Sequence, residues 1–218
     1  MPTCDLVFPC RDEAAALPAL MARVPAGFGV IVVDNGSRDG TADVARSLGA
    51  LVVPEPHPGY GAAVHAGVVA SRADFVAVLD GDGSMDPAEV PALLDLVVSG
   101  DTDMACGRRR PSAPGVWPWH ARAGNTTVLW WLRWRTGLDL HDIAPLRVCS
   151  RRALLELGVE DLRFGYPVEL LSRAQSAGWR LDEYDVSYHP RAAGTKSKVS
   201  GSVRGSIRAA RDFARVLP

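Results

Sequence analysis

The sequence has few cysteines, no long apolar run and almost no net charge, and each absence narrows the possible functions. Its four cysteines lack the paired spacing of a zinc site or a disulfide framework, which favours reduced thiols in a reducing compartment. No apolar run approaches the ~20 residues of a membrane-spanning helix, and no N-terminal signal precedes the first strand. A net charge of -1 over 218 residues argues against nucleic-acid binding. We therefore expect a cytoplasmic protein, with any membrane attachment peripheral.

Apolar and amphipathic segments alternate along the chain, which is typical of an α/β fold with a mostly parallel central sheet flanked by helices. Strand-like runs are predicted at 6–8, 30–33, 51–53, 75–79 and 104–106, and helix-like segments at 17–24, 41–48, 62–71 and 87–98. Farther on we expect a loop at 108–118, helices near 151–157 and 168–177, and an extended stretch at 180–188. Because no linker-like tract interrupts the chain, we expect a single domain over residues 1–218.

Two aspartates, one residue apart, follow the most apolar of the predicted strands. Residues 75–79 are all apolar, the pattern of a strand buried on both faces, and Asp80 and Asp82 come directly after it, separated by Gly81. Ligands of open α/β sheets bind beyond the carboxyl ends of such strands. Two carboxylates beside glycines suit a divalent cation that bridges to phosphate oxygens. An ordinary Asp-Gly turn explains the spacing alone equally well.

Acidic residues also follow the first two predicted strands. Glu13 comes after the first, and Asp34 comes at the end of the second. Because these positions and Asp80 share one edge of the sheet, a common crevice is expected there. In that crevice Asp34 can accept hydrogen bonds from a base or a sugar, and an Asx turn is its alternative role.

The order of the motifs resembles that of family 2 glycosyltransferases, which have the GT-A fold, and is most similar to dolichyl- and polyprenyl-phosphate hexose synthases. The resemblance covers nearly the whole chain and is carried by these segments: Pro-x-x-x-Glu from Pro9, Asp-Asn-Gly-Ser-x-Asp-Gly-Thr from Asp34, Gly-Tyr-Gly-Ala-Ala from Gly59, Asp-Gly-Asp-Gly from Asp80, Asp-x-x-x-x-Arg from Asp142, Gly165-Tyr166 with Glu169, and residues 197–201. One departure is Ser84, which stands where the mannose synthases often carry glutamine.

The resemblance implies a metal-dependent, inverting hexosyltransferase that uses a nucleotide-diphospho-sugar, either UDP- or GDP-hexose. It implies Mg²⁺ or Mn²⁺ at Asp82 and Asp80, where the metal neutralises charge on the leaving diphosphate. Residues 1–107 are then the nucleotide-sugar-binding half and residues 108–218 the acceptor-side half. The expected acceptor is a polyprenyl phosphate, and a soluble acceptor is the rival.

The resemblance also implies roles for individual residues. The donor-binding set comprises Pro9, Glu13, Asp34, Asp39, Asp80 and Lys198, with Lys198 in a Gly/Ser-rich loop suited to a lid over the diphosphate. Arg147 is expected to face phosphate, which its planar fork suits, and Asp142 is expected to orient Arg147. Glu169 is the candidate general base or acceptor-positioning residue, and a helix-surface glutamate is the alternative.

The end of the chain is basic, with seven Lys or Arg residues against one acid from Arg191 onward. On a predicted helix from Ser202 four arginines share one face, next to an apolar stripe. This favours peripheral contact with anionic lipid headgroups or with an acceptor phosphate, and docking on the domain itself is the alternative. Five tryptophans within residues 117–135 strengthen the membrane interpretation, with core packing as its competitor.

Three other classes of protein fit less well. A sugar-nucleotide nucleotidyltransferase would carry a glycine-rich, basic signature after the first strand, and a dehydrogenase would carry G-x-G-x-x-G there; the sequence has neither. A non-catalytic, membrane-associated module is disfavoured because Asp34, Asp80, Asp82 and Arg147 are all present.

Overall fold

The computed structural model of the chain describes residues 2–192. Lys198 and the predicted basic C-terminal helix therefore lie outside the described residues. The described part contains seven strands, seven α-helices and one 3₁₀ helix. In chain order these are β1 Cys4–Cys10, α1 Leu17–Met21, β2 Gly29–Asp34, α2 Thr41–Ser47, β3 Leu51–Pro54, α3 Tyr60–Ala70, β4 Phe75–Val78, the 3₁₀ helix Pro87–Glu89, α4 Val90–Val98, β5 Met104–Pro111, α5 Trp119–Thr136, β6 Leu146–Ser150, α6 Arg151–Glu156, α7 Tyr166–Ser176 and β7 Leu181–Tyr188.

The strands form one mixed sheet in the order β3-β2-β1-β4-β6-β5-β7. All neighbouring strands are parallel except at β6, which is antiparallel to both β4 and β5. The chain moves outward from β1 to β3 and then returns to place β4 on the other side of β1. The crevice beyond the carboxyl ends of β1 and β4 is therefore the switch point at which open α/β sheets bind ligands.

Helices cover both faces of the sheet. Along β1, Leu6 and Phe8 belong to one apolar cluster, which includes residues of α1, α2 and α4. Val7 belongs to the opposite cluster, which includes residues of α3, α5, α6 and α7. This alternation explains why the central strands have few polar residues, and it confirms the predicted α/β layering.

Two features of the second half differ from the sequence-based expectation. Residues 108–118 were predicted to be a loop, but β5 continues through Pro111 because β7 pairs with it over its whole length. The strand β6 was not predicted at all. It matters for the site because its antiparallel direction places Arg147, near its start, opposite Val78 at the carboxyl end of β4.

Candidate active site

A cavity of about 480 Å³ opens at the switch point, beyond the ends of β1, β4 and β5. It brings together several residues that the sequence predicted for the site: Pro9, Glu13, Asp80, Asp82 and Arg147. The lining also includes charged or polar residues that were not predicted as site residues: Arg11, Asn35, Tyr60, Arg109, Arg163 and Arg191. The cavity thus combines a small group of carboxylates with several arginines.

The two aspartates lie on a tight turn after β4. Gly81 packs so closely against the Cys10 sulfur that a Cβ there would collide with it, and Gly83 has a φ of 79° that favours glycine. The turn is held from within, because the Ser84 N–H donates to Asp82 Oδ1 at 2.9 Å. Both glycines are therefore required by the geometry that aims the carboxylates into the cavity.

The two carboxylates differ in exposure, with Asp80 half-buried and Asp82 buried. Asp82 is only 7% exposed. Burial, and secondarily the charge of Asp82, raise the pKa of Asp80 to about 6. Because the charge of Asp82 disfavours ionisation of Asp80, a cation bound at this turn would be stabilised by both carboxylates.

A cationic group already contacts Asp82. The Arg191 guanidinium forms an ion pair with Asp82, and the Ala192 N–H donates to the Asp82 carbonyl at 3.1 Å. Residues 2–192 contain no cluster of three or more Asp, Glu, His or Cys side chains that could hold a metal by themselves. Two carboxylates nevertheless fit Mg²⁺ or Mn²⁺, since Mg²⁺ sites of this type use one or two carboxylates, with substrate phosphates and water as the remaining ligands.

Arg147 lies on β6, lines the cavity and is only 3% exposed. Its Nε donates to the Ala144 carbonyl, which fixes the direction of the guanidinium. The neighbouring Tyr60 also lines the cavity, and burial raises its pKa to about 12 although the charge of Arg147 opposes this shift. The phenol therefore stays a neutral hydrogen-bonding group next to a fixed cation.

Asp142 was expected to orient Arg147, but the structure gives its carboxylate a different arginine as partner. Its fully buried carboxylate instead binds Arg109, with Nη2 at 2.6 Å from Oδ1 and Nε at 2.9 Å from Oδ2. The Arg109 N–H donates to the same carboxylate at 2.9 Å. The guanidinium also lies 4.1 Å from the centre of the Trp117 ring. Asp142 is thus a positioning residue for a second cavity arginine.

Glu169 was expected to act as a general base or to position the acceptor, and its contacts do not support either role. Its carboxylate accepts hydrogen bonds from the N–H groups of Glu160 and Asp161 at 3.1 and 2.7 Å and from Arg173 Nε at 2.6 Å. It does not appear among the described residues that line the cavity. Its acceptor sites are used to hold the loop before α7, which carries the cavity residue Arg163.

Asp34 and Asp39 serve local structure at the ends of β2 and α2. Asp34 Oδ1 accepts the N–H of Ser37, three residues on, at 3.0 Å, a local turn contact one residue longer than the Asx turn considered as its alternative role. Asp39 accepts hydrogen bonds from the Ala14 and Thr41 N–H groups, both at 3.0 Å, and so ties the loop after β1 to α2. Neither is among the described residues lining the cavity, and the adjacent Asn35 takes that place.

The glycine-rich start of α3 holds the opposite wall of the cavity. The N–H groups of Gly61 and Ala62 donate to the carbonyls of Arg163 and Leu162 at 3.1 and 2.9 Å. A Cβ on Gly61 would lie 2.8 Å from the Tyr166 Cβ and would collide with the Asp161 carbonyl. The close approach of two backbones therefore explains this glycine, and the contact places Arg163 at the cavity.

Arg109 is the most important cavity residue that sequence reasoning missed. It lies within Arg108-Arg109-Arg110, which was assigned to a loop. On a strand, alternate side chains face opposite sides. Arg108 and Arg110 both pair with Asp185, at 2.6 and 2.7 Å, while Arg109 turns to the cavity. Recognising β5 in this run would have revealed it.

Comparisons with known proteins place this geometry in context. The sequence profile described as "Glycosyl transferase family 2" matches residues 5–153. The chain is 56% identical over 212 residues to a Mycobacterium tuberculosis protein described as an uncharacterized glycosyltransferase, which covers 97% of this chain and 96% of that protein. It is 31% identical over 217 residues to the polyprenol monophosphomannose synthase of Mycolicibacterium smegmatis, covering 90% of this chain and 81% of that one.

The fold also matches solved structures. One is the glucosyl-3-phosphoglycerate synthase of Mycobacterium tuberculosis, crystallised with Mn²⁺, UDP and glucosyl-3-phosphoglycerate. It superposes with a TM-score of 0.76 at 21% identity, covering 99% of this chain and 78% of that chain. The likeness confirms the predicted GT-A fold.

Proposed function

We propose that this chain, which belongs to glycosyl transferase family 2, transfers a hexose from a nucleoside diphosphate sugar to an acceptor that carries a phosphate group. The first candidate acceptor is a polyprenyl phosphate. The observation that carries this proposal is the composition of the cavity, where the paired carboxylates of Asp80 and Asp82 face a set of arginines. A cavity built in this way suits a cation and more than one phosphate group.

The donor end of the proposal rests on the Asp80–Asp82 turn. A divalent cation held there would supply Lewis-acid neutralisation of charge on the diphosphate leaving group. The fold neighbour named above was crystallised with Mn²⁺ and UDP, which supports the same assignment here. Arg147 is held by Ala144 so that its fork is preset toward phosphate oxygens rather than reorganised on binding.

The proposed class of acceptor is inferred from the carboxylates that line the cavity. A sugar-hydroxyl acceptor needs a general base, whereas a phosphate acceptor is already an anion and needs none. Within residues 2–192 the carboxylates of the lining are Glu13, Asp80 and Asp82, all of them on the loops that follow β1 and β4. Glu169 is engaged elsewhere, and the acceptor side offers Arg109 and Arg163. This arrangement favours an anionic nucleophile.

A soluble phosphorylated acid is the second candidate acceptor. The arginines at 109 and 163 recognise a phosphate equally well on a lipid or on a small acid. The names of two similar proteins point in these two directions, one to a polyprenol phosphate and the other to phosphoglycerate. Both candidates share the phosphate as a recognition group. A polyprenyl phosphate would attack through its phosphate oxygen, whereas 3-phosphoglycerate would accept the hexose on its hydroxyl and would need a general base, so the experiment must separate the two.

The test is a transfer assay with UDP- and GDP-hexoses, in Mg²⁺, Mn²⁺ or EDTA, and three acceptors. The acceptors are a short polyprenyl phosphate, the matching polyprenol without phosphate, and 3-phosphoglycerate. We expect metal-dependent transfer to the polyprenyl phosphate and none to the polyprenol. Transfer to 3-phosphoglycerate alone would select the second candidate. Absence of transfer to either phosphorylated acceptor with every donor would refute the proposed acceptor class.

Two arginine-to-lysine variants, one in the cavity and one on the surface, separate a specific effect at the cavity from a general effect of losing a guanidinium group. Arg147→Lys keeps the charge but loses the planar fork, so we expect kcat/KM to fall by about tenfold or more. The control is Arg152→Lys on the exposed side of α6, where Arg152 lies 3.7 Å from Glu156. Equal activity of the two variants would remove Arg147 from the proposed phosphate-binding role.

A further inference from the structure

The outer side of α5 is an aromatic surface that the proposed site does not use. Three tryptophans of this helix are strongly exposed: Trp119 at 79%, Trp130 at 67% and Trp134 at 69%. At 3.6 residues per turn their side chains fall within an arc of roughly 60° and span roughly 22 Å along the helix. We call this surface the tryptophan face. Three large indoles exposed in one stripe are unusual on a water-facing helix.

The remaining sides of α5 explain why this surface stays open. The opposite side carries Asn125, Leu129 and Leu132, which are buried against the rest of the fold. The described residues therefore hold the helix by one side only and leave the tryptophan face without a protein contact of comparable size. The described residues contain no helix that is long and apolar enough to cross a membrane.

The charged residues of α5 itself are all basic. The 18 residues of α5 include no Asp or Glu, and three exposed arginines, Arg122, Arg133 and Arg135, flank the indoles on both sides. Arg135 stacks 5.7 Å from the ring of Trp134. One acid beyond the helix, Asp139, pairs with Arg133, but both side chains are largely exposed, so the pair is weak. The surface is thus aromatic and cationic.

The same helix is bonded directly to the cavity. Asn125 on its inner side accepts the Ile143 N–H at 3.0 Å and donates to the His141 carbonyl at 3.0 Å. These bonds fix the turn that carries Asp142, the partner of the cavity residue Arg109. A surface that contacts α5 from outside therefore lies one helix away from the phosphate-binding arginines.

We propose that the tryptophan face, with its flanking arginines, docks on the headgroup region of a bilayer that contains anionic lipids. Tryptophan concentrates at membrane interfaces because its ring is apolar and its N–H is polar, and arginine adds attraction to anionic headgroups. Docking of this kind goes beyond the transfer reaction, since it requires neither donor nor acceptor. Its failure in a binding assay and the failure of the transfer assay are therefore independent results.

The test is flotation of the full chain with vesicles of phosphatidylglycerol and phosphatidylcholine, compared with vesicles of phosphatidylcholine alone. The test variant is W119A/W130A/W134A, whose positions are exposed and tolerate alanine in a helix. The matched control replaces three exposed apolar residues on other elements, as L48A/L51A/V69A. A second variant, R122Q/R135Q, tests the charge. Thermal unfolding confirms that each variant is folded before vesicles are added.

We expect the wild type and the control to bind the anionic vesicles and the tryptophan variant to bind them about tenfold more weakly or not at all. R122Q/R135Q should lose roughly fivefold per arginine, and only on anionic vesicles. Wild-type binding that the tryptophan variant retains would place the lipid contact elsewhere and overturn the proposal. Absence of wild-type binding would also overturn it, as would a wild-type dimer that the tryptophan variant dissociates, since the face would then join two copies of the chain.

Discussion

The ion pair between Arg109 and Asp142 allows the sharpest prediction about stability. Asp142 is fully buried, and replacing it with alanine would leave the guanidinium of Arg109 without its bidentate partner. Breaking a buried pair from one side costs about 3–5 kcal/mol. Because the Arg109 side chain is 16% exposed in the cavity, the lower end applies, about 3 kcal/mol. For a chain of this size that corresponds to a fall in Tm of about 6–12 °C.

The double variant R109M/D142A tests the reasoning behind that magnitude. With the cation replaced by an apolar side chain of similar length, the loss should shrink to about 2 kcal/mol, the cost of the two backbone N–H groups, of residues 109 and 144, that lose Asp142 as their acceptor. Urea and thermal unfolding of the wild type, both single variants and the double variant give the coupling energy directly. Additive losses would refute the claim that an isolated buried charge causes the effect.

Three further predictions concern local contacts. Burial would raise the pKa of Asp39, but its hydrogen bonds from Thr41 and Ala14 outweigh this and lower it below the usual 3.8. The difference in free energy of unfolding between wild type and D39A should therefore be complete above about pH 4 and should shrink as the pH falls through the lowered pKa. Unfolding measured over a series of pH values checks this, and a difference that stays constant would contradict it. E169Q should lower Tm yet keep kcat within about threefold of the wild-type value. Loss of a general base would instead lower kcat by about 10²–10⁴-fold, and steady-state kinetics distinguish these two outcomes. G61A should destabilise the protein because its Cβ would collide with the Asp161 carbonyl. G124A, whose added Cβ meets nothing within 4 Å, should stabilise α5 by about 0.5–1 kcal/mol. A rise in Tm for both variants would contradict the packing argument.

The first half of the chain could be predicted closely because its signals are local. Five apolar runs matched five strands, and the cavity at the predicted sheet edge includes Glu13, Asp80 and Asp82 in its lining, although Asp34, expected there too, is not among the lining residues. Periodicity records burial on one or both faces of the sheet, and the carboxyl ends of parallel strands share an edge, so no long-range contact had to be known.

The second half was harder because its structure depends on partners distant in sequence. The polar part of β5, beyond Gly107, is a strand only because β7 pairs with it. The two strands are far apart in sequence, since Arg108 and its partner Asp185 are separated by 77 residues. The partner of Asp142 was missed for the same reason, since Arg109 becomes a cavity residue only once β5 is extended. Glu169 lay in a segment that resembled the family, but resemblance in sequence did not reveal which N–H groups would use its carboxylate.

The central claim is that the Asp80–Asp82 turn holds a divalent cation against the diphosphate of the donor. Calorimetric titration of UDP and GDP into the protein, with Mn²⁺ or with EDTA, measures directly how much the metal strengthens nucleotide binding. The proteins compared are the wild type, D82N and the control D95N, whose substituted residue Asp95 lies exposed on α4. Wild type and D95N should bind one of the nucleotides at least about tenfold more tightly with Mn²⁺ than without, and D82N should lose that gain. A D82N variant that keeps the full Mn²⁺-dependent gain would contradict the account.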